Sequence, residues 1–369
     1  MAKGSATRAT TLWVRTPSAR YPVWVGAGLL AQIGRRLKTL RPGCRAVFVI
    51  SSPRIWARWG AKLVAGLGAA GIRADALLMN DREEAKGLEM VERLAEKLLA
   101  LGADRGALLV ALGGGVVGDV TGFLAASYMR GVDYLQVPTT LVAQVDSAIG
   151  GKTGVNLRGG KNLLGALHHP LAVLADARTL DTLPEPEYRA GLYEVVKCAV
   201  LGDAVLFRLL EREMPAVLRR GPGMLRAVMA RTVRVKARIV GRDERERGER
   251  RLLNLGHTFA HAFETLGGYR GLRHGEAVGW GMIAAAWLSQ RLGLLSQRDA
   301  QRILRVVASV GRLPALPRAQ PERIYAQLFA DKKKRGRELR FVLPRRIGRA
   351  EVIEGVPRSD VLATLRDLS

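Results

Sequence analysis

Residues 107–123 read ALLVALGGGVVGDVTGF. An apolar run of strand length meets three consecutive glycines, Gly113 to Gly115. Gly118 and Asp119 follow, and then a helix-forming stretch that contains Gly122. Glycine lets a strand turn sharply into a helix and lets the backbone approach a ligand, while the helix N-terminus presents free N–H groups to an anion. This is the physics of a dinucleotide pyrophosphate site. The spacing departs from G-x-G-x-x-G, and the acidic residue lies inside the turn rather than about twenty residues further on. Three glycines alone are equally compatible with a tight strand-to-helix corner, so the flanking sequence has to decide.

Upstream, RAVFVI (45–50) reads as a strand leading into a helix-like stretch that Gly71 stops. RADALLM (73–79) reads as a strand, and GLEMVERLAEKLLALGA (87–103) as an amphipathic helix. Downstream, VDYLQVPTT (132–140) is a further strand ending in a turn. Strands alternating with helices predict a parallel, Rossmann-like α/β domain over residues 1–177. Beyond Pro184 and Pro186 the pattern is mainly helical, with helices expected at 187–201, 203–219, 223–240, 256–267, 275–293 and 297–309. ELRFVLPRRIGRAEVIEG (338–355) suits a short hairpin. The second domain is therefore expected over 178–369 as a mainly α-helical one.

A chain of 369 residues is long enough for two cores, and 48% hydrophobic with 25% charged residues fits a globular protein. No apolar run reaches the roughly 18–20 residues of a membrane span, and the N-terminal stretch lacks the apolar segment of a secretory signal. Cys44 and Cys198 make neither a disulfide framework nor a CxxC metal pair. A soluble, cytoplasmic protein is expected. The net charge of +26 raises the question of nucleic acid. However, the basic residues are spread along the chain, and the densest runs, 243–251 and 331–337, are short. The first of these is mixed in sign and suits a solvated helix or turn. An enzyme for an anionic substrate fits better than a nucleic-acid-binding protein.

Three groups of residues carry chemistry. VPTTLVAQVDSAIGGKTGVNLRGGKN (137–162) sets Thr139, Thr140, Asp146, Lys152, Asn156, Lys161 and Asn162 around two glycine pairs, a polar cradle for an oxygen-rich anion. AGLYEVVKCAV places Glu194 and Lys197 three residues apart on one helix face, among apolar neighbours that leave both charges in need of partners. Finally, three of only five histidines fall within eighteen residues: His257 and His261 in GHTFAHAFE, and His274 in RHGEAVGWG. Two imidazoles and one carboxylate leave a coordination position open on zinc, the catalytic arrangement. Spacing leaves open which two of the three histidines would bind.

Taken in order, these segments resemble the 3-dehydroquinate synthases of the sugar-phosphate cyclase superfamily. The resemblance rests on GGGVVGDVTGFLAASYMRG, PTTLVAQVDSAIGGKTGVN, KNLLGALHHP, TLPEPEYRAGLYEVVK, RRLLNLGHTFAHAFE, HGEAVGWGM and DKKKRGRELRFVLP, which together span about residues 80–345. More distantly, the two-domain architecture is similar to that of glycerol dehydrogenases and iron-dependent alcohol dehydrogenases. The resemblance implies that Glu194, His257 and His274 bind zinc, with cobalt as a substitute, and that NAD lies across the domain cleft. Gly114, Gly115 and Asp119 would hold its phosphates and ribose, with Thr139, Thr140 and Lys161 nearby and Glu83 and Lys86 towards the adenosine. Asp146 and Lys152 would also lie close to the cofactor. The substrate pocket would comprise Asp146, Lys152, Asn162, Lys197, Lys236, Arg250, Asn254 and His261, with one lysine of Lys332 and Lys333. Arg130 would reach it from the neighbouring subunit of a homodimer.

The implied reaction converts 3-deoxy-arabino-heptulosonate 7-phosphate to 3-dehydroquinate and phosphate, a step of the shikimate pathway. Transient oxidation by NAD acidifies a C–H bond, phosphate leaves, hydride returns, and ring opening with aldol closure completes the product. The enzyme would be a lyase, because NAD is regenerated in each turnover. Arg82 stands where the family usually has glycine, and Tyr193 and Cys198 where it usually has alanine and tyrosine. Cyclases making valiolone or scyllo-inosose compounds share the cradle and the metal site and form the alternative enzyme class. A nucleic-acid-binding protein on an inactive enzyme fold is the alternative outside enzymes.

Overall fold

The structure, a computed structural model, describes residues 9–268, 271–333 and 339–368. In chain order come β1 (Thr10–Arg15), β2 (Arg20–Gly26), α1 (Ile33–Leu40), β3 (Ala46–Ser51), α2 (Pro53–Ile55), α3 (Ala61–Gly68), β4 (Arg73–Leu78) and α4 (Leu88–Ala100). Then follow β5 (Leu108–Gly113), α5 (Gly115–Ser127), β6 (Asp133–Pro138), β7 (Lys152–Leu157), β8 (Gly160–Leu167) and β9 (Ala172–Asp176). The helical part consists of α6 (Glu185–Gly202), α7 (Ala204–Leu218), α8 (Pro222–Arg242), α9 (His257–Leu266), α10 (His274–Arg291), α11 (Gln297–Val310) and α12 (Pro321–Lys333). A hairpin of β10 (Phe341–Arg346) and β11 (Arg349–Ile353) precedes α13 (Arg358–Asp367).

The chain divides into two compact units, Met1–Leu183 with Pro222–Gly241, and Pro184–Gly221 with Arg242–Ser369. The first unit is therefore not the single segment 1–177, because α8 returns to it. Lys236 on α8 donates to the main-chain oxygen of Asp146 at 2.6 Å, and Gly241 lies against the Arg15 carbonyl.

In the first unit, seven strands form one sheet in the order β1-β2-β9-β6-β5-β3-β4. All neighbours pair in parallel except β1 with β2, so the expected parallel sheet carries one antiparallel edge. Successive side chains on a strand point to opposite faces. Accordingly Val47, Val49, Val110 and Leu112 pack on one side with α1 and α3, and Phe48, Ile50, Leu109 and Ala111 on the other with α4 and α5. Burial on both faces explains why β5 is an unbroken apolar run.

The glycine corner differs from its expected cause. Gly114 has φ −78°, an ordinary value, so no left-handed turn is required there. The glycines serve close approach instead. A Cβ on Gly113 would meet Val117 at 2.7 Å, one on Gly114 would meet Thr140 at 3.1 Å, and one on Gly118 would meet Gln136 at 2.9 Å. Within and beyond the 137–162 cradle the chain is regular: β7 and β8 form an antiparallel hairpin, entered through Gly150 and Gly151 at φ 104° and 68°.

In the second unit, α6 is buried on every side from Tyr188 to Leu201 apart from Arg189, as a central helix must be. The expected helices form with ends shifted by one or two residues, and β10–β11 is the expected hairpin. No described helix is long and apolar enough to cross a membrane.

Candidate active site

Glycine contacts build the centre of the second unit. Gly275, at the start of α10, lies so close to Ala190 on α6 that an added Cβ would overlap the Ala190 carbonyl. Nearly two turns further on, Gly281 lies equally close to the carbonyl of Gly256. Gly256 itself has φ +79° and opens α9. These approaches bring His274 beside Glu194 and beside His257, which follows Gly256 directly.

Glu194 is 1% exposed and so is Lys197. Their i, i+3 spacing sets Lys197 Nζ 2.5 Å from Glu194 Oε2. Glu194 Oε1 faces His274 Nε2 at 3.4 Å and His257 Nε2 at 3.9 Å. Ligand atoms of Glu194, His257 and His274 all lie within 4.8 Å of one another. Of the three histidines, His257 and His274 are the two whose ring nitrogens gather at Glu194. His261 sits one turn along α9, its ring edge-on to His257 at 5.7 Å and outside the cluster.

Burial alone would push the Glu194 carboxyl up, yet Lys197 and the two imidazoles hold it well below the usual carboxylate range. Burial, with Lys197 next in weight, depresses His257. Burial also opposes charge on His274, but Glu194 and Glu264 raise it above the usual imidazole range. Although buried, neither Glu194 oxygen receives a hydrogen bond of good geometry, which suits a group that holds a cation. Two imidazole nitrogens with one carboxylate form a donor set for zinc or cobalt with a position left open.

Arg250 and Asn254 lie on a short 3-10 turn, Glu249–Asn254, that packs against α6. Arg250 is buried, and its Nη1 donates to the Glu244 carbonyl at 2.5 Å, while Asn254 Nδ2 donates to Glu246 at 2.9 Å. The preceding charged run is not simply solvated. Asp243 accepts backbone N–H bonds from Arg247, Gly248 and Arg250 at 2.9, 2.7 and 3.0 Å, which pins the turn that carries Arg250.

In the first unit, Lys86 is 3% exposed and donates to Asp119 Oδ2 at 2.6 Å and to Asn162 Oδ1 at 2.5 Å. The hairpin supplies Asn162, and it also supplies Asn156, which donates to Glu83 at 2.8 Å. Burial raises the Asp119 carboxyl against the pull of Lys86. Thr139 adjoins the glycine corner, its N–H bonded to the Gly113 carbonyl at 2.9 Å, and its buried Oγ1 has no partner. Glycines at close quarters, the start of α5 and an orphaned hydroxyl together fit a nucleotide's polar groups. Asp146 lies in a π-helical turn, Ala143–Ser147, paired with Lys236.

Lys152, Lys161 and Arg130 are exposed. Met129, Arg130 and Gly131 all have positive φ, 51°, 70° and 123°. The side chains of Lys332 and Lys333 lie outside the described residues. Arg82 stands at φ −77° and ψ 148°, where glycine has no advantage. Tyr193 is buried, packs on Gly279 and donates to the Gly311 carbonyl at 3.3 Å. Glu264, whose Oε1 is 3.2 Å from His274 Nδ1, escaped the sequence reading; its spacing of seven from His257 on one helix face was the available signal.

Residues 76–190 match the family described as 3-dehydroquinate synthase N-terminal, and residues 191–334 match 3-dehydroquinate synthase C-terminal. A 3-dehydroquinate synthase of Solibacter usitatus is 45% identical over 353 residues, 96% of this chain and 98% of the relative. Among solved structures, a 2-epi-5-epi-valiolone synthase from Streptomyces hygroscopicus with NAD+ and Zn2+ bound superposes with a TM-score of 0.84 at 32% identity, covering 94% of this chain and 96% of its own. A 2-deoxy-scyllo-inosose synthase complexed with carbaglucose-6-phosphate, NAD+ and Co2+ gives a TM-score of 0.87 at 26% identity, covering 97% and 100%. With both family segments matched in order, and a relative sharing nearly half its residues along almost the whole length, this chain belongs to the 3-dehydroquinate synthase family.

Proposed function

We propose that the chain converts 3-deoxy-arabino-heptulosonate 7-phosphate to 3-dehydroquinate and inorganic phosphate, as a lyase of the shikimate pathway. The observation that carries this reading is the Glu194–His257–His274 cluster, set beside Lys197 in a chain of this family. Those three residues hold the metal, zinc or cobalt, with Lys197 fixed against Glu194. Gly114, Gly115, Asp119, Thr139, Thr140 and Lys161 hold NAD, with Glu83 and Lys86 at its adenosine end and Asp146 and Lys152 close by. When bound, the metal supplies a Lewis acid for substrate oxygens and NAD supplies a hydride acceptor that each turnover regenerates.

The remaining roles belong to side chains. Arg250, Lys152, Lys197 and Lys236 offset the phosphate and carboxylate charges of the substrate, and Arg250 does so from an immobilised guanidinium. Asn162 and Asn254 hydrogen-bond its hydroxyls, and Asp146 orients Lys236. His261, exposed beside the cluster but not part of it, exchanges a proton near the leaving phosphate. Arg130, on an exposed loop of unusual backbone geometry, acts in the neighbouring subunit of a homodimer. The protein works in the cytoplasm.

The secondary-metabolism cyclases share the fold but are more distant, at 32% and 26% identity against 45% for the dehydroquinate synthase relative. Purified protein with NAD and zinc should release phosphate from 3-deoxy-arabino-heptulosonate 7-phosphate without net NADH accumulation. Release from sedoheptulose 7-phosphate or glucose 6-phosphate instead, in parallel assays, would overturn this assignment.

A further inference from the structure

Helix α9 carries three polar side chains on one face, His257, His261 and Glu264. The first two have roles above, and Glu264 has none. Its Oε1 lies 3.2 Å from Nδ1 of His274 on the neighbouring helix, and its side chain is 12% exposed. The other ring nitrogen of His274, Nε2, faces Glu194 Oε1 at 3.4 Å. One imidazole therefore bridges two carboxylates, with a different nitrogen on each.

We propose that Glu264 is a positioning residue for the metal centre: its carboxylate accepts the Nδ1–H of His274 and so fixes the tautomer and ring plane that offer Nε2 to a cation shared with Glu194 and His257. This rests on the metal reading above. The physical need differs between the two histidines. His257 has a side chain only 13% exposed, and its Nδ1 is already held 3.2 Å from the Leu255 carbonyl. The His274 side chain is 44% exposed at the first position of α10, so packing does not set its ring and a hydrogen bond has to. A metal-bound imidazole is commonly oriented through its second nitrogen in this way, which also raises its basicity. Charge points the same way. Lys197 pairs with Glu194, and Glu264 adds a further carboxylate beside the His274 ring. An ordinary surface ion pair needs neither a largely buried carboxylate nor a ring whose far nitrogen is aimed at a second one.

The test is zinc affinity by chelator competition on the full chain, with the thermal midpoint of the metal-free protein and the cobalt(II) absorption spectrum as companions. Glu264→Ala should lose about 10–100-fold in zinc affinity and change the cobalt spectrum, while the metal-free protein still unfolds cooperatively, its midpoint lowered only by the lost pairing with His274. Glu264→Gln keeps an acceptor oxygen and should restore the spectrum and most of the affinity. Equal zinc affinity in wild type and Glu264→Ala overturns the proposal, as does an affinity loss that appears only with loss of the cooperative metal-free fold. A wild-type protein that holds no zinc overturns the metal reading itself, and Glu264's role with it.

Discussion

Each unit holds a carboxylate–lysine pair, fully buried in the second and partly buried in the first, and the two pairs behave oppositely. Glu194 and Lys197 stand one turn apart on α6, and the carboxyl is held well below its usual range despite burial, because an ammonium and two imidazoles surround it. Lys86 and Asp119 come from distant segments, and there burial prevails: the carboxyl rises although Lys86 touches it, with Glu83 adding to the rise. Similar ion pairs thus differ in electrostatic character. A carboxylate kept charged suits a cation, while one raised towards neutrality suits exchange of hydrogen bonds with hydroxyl groups.

The comparison breaks most visibly at Glu194. Glu194→Gln should abolish zinc retention, lower phosphate release about a thousandfold or more, and leave Lys197 buried without its counter-charge, at a cost of about 3–5 kcal/mol in denaturant unfolding. Retained zinc in this variant would show that the pair is structural only. His261→Ala, one turn from His257, should keep zinc by metal analysis and slow turnover about a hundredfold. Equal metal loss in His261→Ala and His257→Ala would show the ligands to be wrongly divided. In the first unit, Lys86→Met should weaken NAD binding about 10–100-fold in a nucleotide titration, the worth of a charge-assisted hydrogen bond, and leave zinc content unchanged. Loss of zinc there would deny that the two pairs serve separate ligands.

The smallest effect is pH. In the metal-free protein His274 is held charged by Glu194 and Glu264, a contribution to stability that is complete below its unfolded pKa and lost as pH rises through the raised folded value. Zinc needs the neutral ring and must displace that proton. Zinc affinity should therefore rise with pH above neutrality, by at most about tenfold per unit for one proton released. A flat profile in chelator competition would show that His274 is not charged before metal binds.

Local chemistry was legible in the sequence wherever a repeat of the backbone expresses it. Leu108–Gly113 is a strand in a two-faced sheet and reads as an apolar run; α6 to α11 follow helical periodicity, and Glu194 and Lys197 meet because three residues is nearly one turn. Glu264 was available by the same rule. Tertiary approach decided the rest. His274 joins the cluster because Gly275 and Gly281 let α10 touch Ala190 and Gly256, contacts that no local spacing expresses. Asn162 reaches Lys86 through a hairpin whose strand pairing no local pattern announced, and α8 returns to the first unit across thirty-eight intervening residues, 184–221. The corner at Gly113–Gly115 shows the division most plainly. Its composition marked a close-packed turn, but that Gly114 and Gly115 serve space was settled by Thr140 and Ser147, whose positions depend on the assembled unit.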